Sequence, residues 1–188
     1  VKVSGFARHL SNYITLEEAP NVEPMLPLPI FADGPFRYAN GAATFYGGET
    51  SASVAVSPSL TAHVSGSYLW GKNLETDRPA LGVAPLRGDL GLRWEPQGGR
   101  VYVEGTLTAT ARQDRVADKR LGEQSTNGFL TLDLQGGVDI GRGISLDGGV
   151  TNLTDTNYVN HLNAKNPYTG TPIPEPGRVL FLGATYAF

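Results

Sequence analysis

The sequence contains no cysteine, which excludes disulfides, iron–sulfur clusters and cysteine-type zinc sites. It contains no apolar run of the roughly 18–20 residues that a transmembrane helix requires. Charged residues are sparse at 18%, below the roughly 25% of soluble domains. The net charge of −3 offers no basic field, so a nucleic-acid partner is not expected. No D-x-D-x-D-G spacing marks a calcium loop. The chain starts at Val1 without a secretory leader, so the expectation is a mature, trimmed or partial chain.

What the sequence does have is a period of two. Leu60, Ala62, Val64, Gly66, Tyr68 and Trp70 fall on one face, against Thr61, His63, Ser65 and Ser67 on the other. The pattern recurs at Leu86–Glu95, Val101–Thr110, Leu130–Ile140, Ile144–Thr151 and Leu180–Phe188, and earlier at Tyr46–Val56. Lys2–Glu17 alternates less cleanly, although Tyr13, Ile14 and Leu16 suit a strand. No segment has the periodicity of a helix of three turns. The expectation is an all-β, antiparallel meander of about eight strands, in a single unit over residues 1–188. Several strands reach the roughly nine to eleven residues of a tilted membrane strand, where soluble strands average about five or six. The mean hydropathy of −0.19 does not oppose a membrane barrel, because alternation cancels in the average.

Connections alternate in length. Short turns lie at Ser57-Pro58-Ser59, Glu95–Gly99 and Gly141-Arg142-Gly143; long loops lie at Ala19–Arg37, Lys72–Pro85, Ala117–Asn127 and Asn160–Arg178. Short periplasmic turns and long extracellular loops are the outer-membrane arrangement, and parity then puts both chain ends on the periplasmic side. Alternation alone does not say which face is inside. Strand length, loop asymmetry and aromatic residues near strand ends favour a lipid-facing apolar band over a soluble barrel.

The last forty residues carry a resemblance. Val150-Thr151-Asn152-Leu153-Thr154-Asp155-Thr156-Asn157-Tyr158 resembles V-x-N-L-F/T-D-x-x-Y, the penultimate strand of TonB-dependent receptors. Pro174-Glu175-Pro176-Gly177-Arg178 resembles the P-x-P-G-R that opens that family's last strand. Weaker matches are Tyr46-Gly47-Gly48-Glu49, Pro85-Leu86-Arg87, and the pair Arg112–Arg115 with Thr126–Phe129. The resemblance implies the C-terminal part of a barrel of about 22 strands in the bacterial outer membrane, with the plug absent from this chain. It implies a receptor importing a scarce ligand, most often a ferric siderophore, with cobalamin, haem, copper or a saccharide as other members' ligands. The implied partners are outer-membrane lipid, the TonB complex acting through the plug, and the barrel-assembly machinery. No cofactor and no catalysis are implied. Gly183, Tyr186 and Phe188 match the spacing of the assembly signal, where Phe181 occupies a position that is usually polar.

Among the remaining residues, His161 stands at the root of the last long loop and, with Tyr168 and Arg178, is a candidate ligand-facing residue. Pro172, Pro174 and Pro176 stiffen that loop. His9 and His63 read as structural. Arg87, Asp89, Arg93, Glu95, Glu104 and Arg112 read as a self-satisfying cross-strand charge ladder, or as a lumen that contacts plug or substrate. Asp114, Asp118, Glu123 and Glu17–Glu18 read as solvated loop charge. No Ser–His pair has supporting context, so there is no nucleophile–base set. The alternatives are a complete eight-stranded outer-membrane barrel with a structural or adhesive role, a soluble lipocalin-like barrel, and an outer-membrane hydrolase.

Overall fold

The computed structural model describes residues 1–19, 36–117, 123–163, 165–166 and 170–188. Among these, the regular elements are all strands: β1 (Lys2–Glu18), β2 (Phe36–Ser57), β3 (Leu60–Asn73), β4 (Arg78–Pro79), β5 (Arg87–Trp94), β6 (Val101–Thr110), β7 (Phe129–Gly141), β8 (Ile144–Thr151) and β9 (Val179–Tyr186). The eight longer strands form one antiparallel meander in the order β1-β2-β3-β5-β6-β7-β8-β9, and two-residue β4 folds back on the end of β3. β1 and β9 end that order, so the sheet is open among the described residues.

Register turns the alternation of each strand into two continuous faces. Val64 opposes Leu90, Leu90 opposes Leu107, and Leu107 opposes Leu132. One step along, Ser65 opposes Asp89, Asp89 opposes Thr108, and Thr108 opposes Thr131. A slip of one residue would mix the two rows, so both faces specify the same pairing.

Burial is reversed relative to a water-soluble domain. The buried apolar residues among those described are small: Ala19, Ala43, Ala80 and Val83. Buried polar residues include Asn73, Thr108, Gln113, Glu123, Thr131 and Asn152, while Val64, Leu90, Leu92, Leu130, Leu134 and Leu182 are exposed. Covering one such side chain is worth about 1.5–3 kcal/mol. A row of them left in water would cancel the roughly 5–15 kcal/mol net stability of a domain. Aromatic side chains border this face. Trp94 and Tyr186 stand at the short-turn end, and Tyr46, Tyr68 and Trp70 toward the long-loop end. From Leu60 to Trp70, ten steps of roughly 3.3 Å tilted by about 40° span about 25 Å, the height of a hydrocarbon-facing band.

The irregular alternation of β1 has a local cause. Leu10 opposes Ala43 and Tyr13 opposes Gly41, so two residues of β1 face one of β2. This bulge exchanges the parity of the strand. Before it Val3, Gly5 and Ala7 share the apolar face; after it Ile14 and Leu16 do. β2 also begins earlier than its alternation suggests. Asn40, Gly41, Ala42 and Ala43 carry too little contrast between faces to reveal a strand, yet they pair with β1.

Candidate functional site

The C-terminal family-like motifs and the described parts of the long loops lie at one end of the sheet. There Asn152 leaves β8 with φ +50°, a left-handed conformation that Asn tolerates better than most residues. Its buried side chain (4% exposed) closes a small ring, donating from Nδ2 to Thr156 O at 2.9 Å and accepting from Thr156 N at 2.9 Å. Its backbone N–H donates to Asp133 Oδ1 of β7 at 2.7 Å, and Thr156 Oγ1 donates to Leu130 O at 3.0 Å. Asp155, at φ +55°, accepts from Arg178 N at 2.8 Å. A Cβ on Gly177 would sit 2.6 Å from Asp155 Oδ1, so this approach needs a glycine there. The N-L-T-D and P-E-P-G-R segments are thus two halves of one clasp across the last loop. Asn152→Ala is expected to destabilise the folded barrel by about 2–3 kcal/mol, from unpaired groups and left-handed strain. Asn152→Gly, which loses the same side-chain hydrogen bonds but not the backbone's ease in the left-handed region, should fall between alanine and the parent. The midpoint of the heat-induced shift between folded and unfolded bands in detergent measures both.

A second cluster joins three loops through Glu123. Its side chain is 7% exposed and that of His161 is 1% exposed, with Nε2 to Oε1 at 3.2 Å. Glu123 Oε1 also accepts from Gly82 N at 2.8 Å, and Oε2 accepts a short hydrogen bond from Ala117 N. His161 Nδ1 contacts Thr126 Oγ1 at 3.1 Å. Gln113 exchanges backbone bonds with Thr126, and its side chain donates to Val83 O at 2.8 Å. The ammonium of Lys165 is buried nearby with no hydrogen-bond partner. Burial lowers its pKa, and the Glu123 charge partly restores it.

Below the loops, the polar face pairs its own charges. Arg93 reaches Glu95 at 2.9 Å and, across strands, Glu104 at 3.2 Å. Arg87 pairs with Asp89 at 3.0 Å, and Asp89 also accepts from Thr108 and Ser65 at 2.7 and 3.0 Å. This is the self-satisfying ladder expected from sequence, except that Arg112 pairs with Asp114 instead of joining it. Between ladder and clasp lies a hollow of about 400 Å³ lined by Arg87, Asp133, Tyr158, Asn160 and Glu175. Burial raises the pKa of the Tyr158 phenol, and Glu175 and Asp133 raise it further, so it stays a hydrogen-bond donor.

The residues singled out in the sequence are thus dispersed. His161 is sealed inside the Glu123 cluster, and Arg178 is exposed at the mouth of β9. Tyr168 and Asp118 lie outside the described residues. Gly183 opposes Asp147 on the polar face, where a Cβ would meet Asp147 Oδ2 at 2.8 Å, while Tyr186 and Phe188 are exposed. Of the acids expected to be solvated, Glu17 pairs with Arg37 and Asp114 stays exposed. Glu123 is the correction. It is buried, because two backbone N–H groups and His161 replace its water. A lone Glu in a polar loop gives no sign of this, since two of its three partners, Gly82 and His161, come from loops about forty residues away on either side.

Comparison with known proteins agrees with this architecture. Solved structures superpose on nearly the whole chain. A copper transporter, OprC, matches with a TM-score of 0.86 at 27% identity, over 99% of this chain and 28% of that one. The ferric enterobactin receptor PfeA of Pseudomonas aeruginosa matches at 0.68 and 20% identity, over 99% and 28%. The ferripyoverdine receptor of the Pseudomonas aeruginosa outer membrane matches at 0.68 and 15%, over 98% and 24%. The chain therefore spans about a quarter of the length of these relatives. No curated protein matches significantly. The family model described as TonB dependent receptor-like, beta-barrel, matches residues 1–153, and the chain belongs to that family of transport receptors.

Proposed function

We propose that this chain is barrel wall of an outer-membrane receptor that imports a scarce ligand, a ferric siderophore or another metal complex, with energy delivered through TonB. The observation that carries the reading is the reversed solvation of the sheet, large apolar residues outward on one face and buried polar residues on the other. The named solved relatives, a copper transporter and two ferric-siderophore receptors, support a metal or metal complex as cargo. In this reading residues 1–188 form one barrel segment toward the C-terminal end of a longer chain, and a plug supplies the TonB contact. Gly183, Tyr186 and Phe188 present the assembly signal to the barrel-assembly machinery. Arg178 and Tyr168 face the ligand, and His161 serves by holding the last loop. The segment itself performs no catalysis.

The open sheet speaks against a complete eight-stranded barrel, since β1 and β9 pair only with β2 and β8 among the described residues. Purified outer membranes separate the two. A tryptic peptide ending at Arg178 is expected in a band three or more times the 20.0 kDa of this chain, because the OprC chain is about three and a half times as long. Cells carrying that band should accumulate a labelled metal complex only while the proton gradient is intact. A band near 20 kDa would overturn the receptor reading.

A further inference from the structure

The apolar face carries one feature that neither import nor assembly uses. Tyr46 and Trp70 are register partners of β2 and β3, stacked at 4.5 Å with planes 14° apart. They stand ten residues from the short turn joining their strands, at the outer border of the band. Over Trp70 lies the Arg115 guanidinium, 4.7 Å from the ring centroid. One step outward on the same face is Lys72, held by exposed Asp77 and placed beside Thr44 by register. The next register pair in that row is His9 with Thr44, Nδ1 to Oγ1 at 3.4 Å.

Among the described residues, Arg115 is the member without an acidic partner. A guanidinium carries five N–H donors. This one donates to Gly71 O at 3.4 Å, and no carboxylate among the described residues lies in ion-pair range. An aromatic face holds the cation in place without neutralising it. A planar guanidinium held in this way, with no carboxylate against it among the described residues, suits a bidentate phosphate. Its height just beyond the aromatic border is where lipid headgroups lie.

Resting on the outer-membrane reading above, we propose that Arg115 on the Tyr46–Trp70 platform, assisted by Lys72, docks a phosphate-bearing lipid headgroup of the outer leaflet. Lys72 can exchange Asp77, which is 85% exposed, for the lipid phosphate. The acyl chains would then lie along the apolar rows below, past Tyr68 and Val64.

The test is lipid retention by the intact receptor in phosphatidylethanolamine nanodiscs doped with lipid A or with dephosphorylated lipid A, read by native mass spectrometry. The parent is expected to keep the phosphorylated form preferentially. Arg115→Gln and Lys72→Gln should each weaken retention about fivefold, the effect of one basic side chain at a lipid surface. Arg142→Gln, at the opposite rim in a short turn, should leave it unchanged. Equal retention of both lipids, or by parent and the Arg115→Gln/Lys72→Gln double variant, would overturn the proposal while leaving the receptor in the membrane. A receptor that leaves the membrane without detergent and enters no nanodisc would overturn the outer-membrane reading with it.

Discussion

Leu90→Arg is expected to destabilise the assembled barrel by about 2–4 kcal/mol, the cost of a cation near the bilayer midplane. Leu90 lies five residues from the Glu95–Gly99 turn, between Val64 and Leu107, and is 46% exposed. In a protein whose apolar face met water, the same change would be worth no more than about 0.5 kcal/mol, since exposed positions away from special features tolerate substitution. Ile140→Arg provides the depth control. Ile140 is 57% exposed and adjoins the Gly141–Gly143 turn, where the cost falls to about 0–1 kcal/mol. Urea unfolding of the receptor in lipid vesicles, compared with both variants, reads the two depths. Equal costs at the two positions would remove the case for a hydrocarbon-facing band.

The second large effect belongs to Glu123→Ala. The substitution strands Gly82 N–H, Ala117 N–H and His161 at once in a region closed to water. Each unpaired buried group costs about 1–3 kcal/mol, so local opening should become easier by about 3–5 kcal/mol. Because the strands do not depend on this carboxylate, the loss should stay in the loops. Hydrogen exchange should accelerate at Gly82 and Ala117 and hold at β6 and β7 amides such as Leu107 and Leu132. Glu123→Gln keeps one acceptor oxygen and should show a smaller acceleration. Exchange that quickens uniformly across the strands would mean that the cluster supports the barrel itself instead of the loop assembly.

Much of the architecture was legible in the sequence, because alternation and register report the same property. A row such as Val64, Leu90, Leu107 and Leu132 exists only if four segments each alternate and each pair in register. The clasp was visible as motifs, but its mechanism was not. That Asp155 needs Gly177 follows from a contact between residues 22 positions apart, and no local pattern encodes it. The start of β2 was missed for the opposite reason. Small residues at Gly41–Ala43 erase the contrast on which alternation depends. His161 was noticed as an imidazole at a loop root, and its burial depends on a partner supplied 38 residues earlier. The sequence thus reports strands through repetition, while polar clusters, assembled once from distant single residues, remain silent until the loops are in place.

The bulge between Leu10 and Tyr13 has a further consequence for β1. It lies just past the row in which Ala7 opposes Tyr46, and therefore at the upper limit of the band. Strands bend and twist more sharply at such a point. Below it, odd-numbered side chains meet hydrocarbon; above it, even-numbered ones such as Ile14 continue that surface into water. The strand is therefore written in two phases with one residue between them, and the change of phase coincides with the change of solvent. The stiff wall and the stalk that rises from it can take different tilts while sharing an unbroken ladder of hydrogen bonds on either side of the joint.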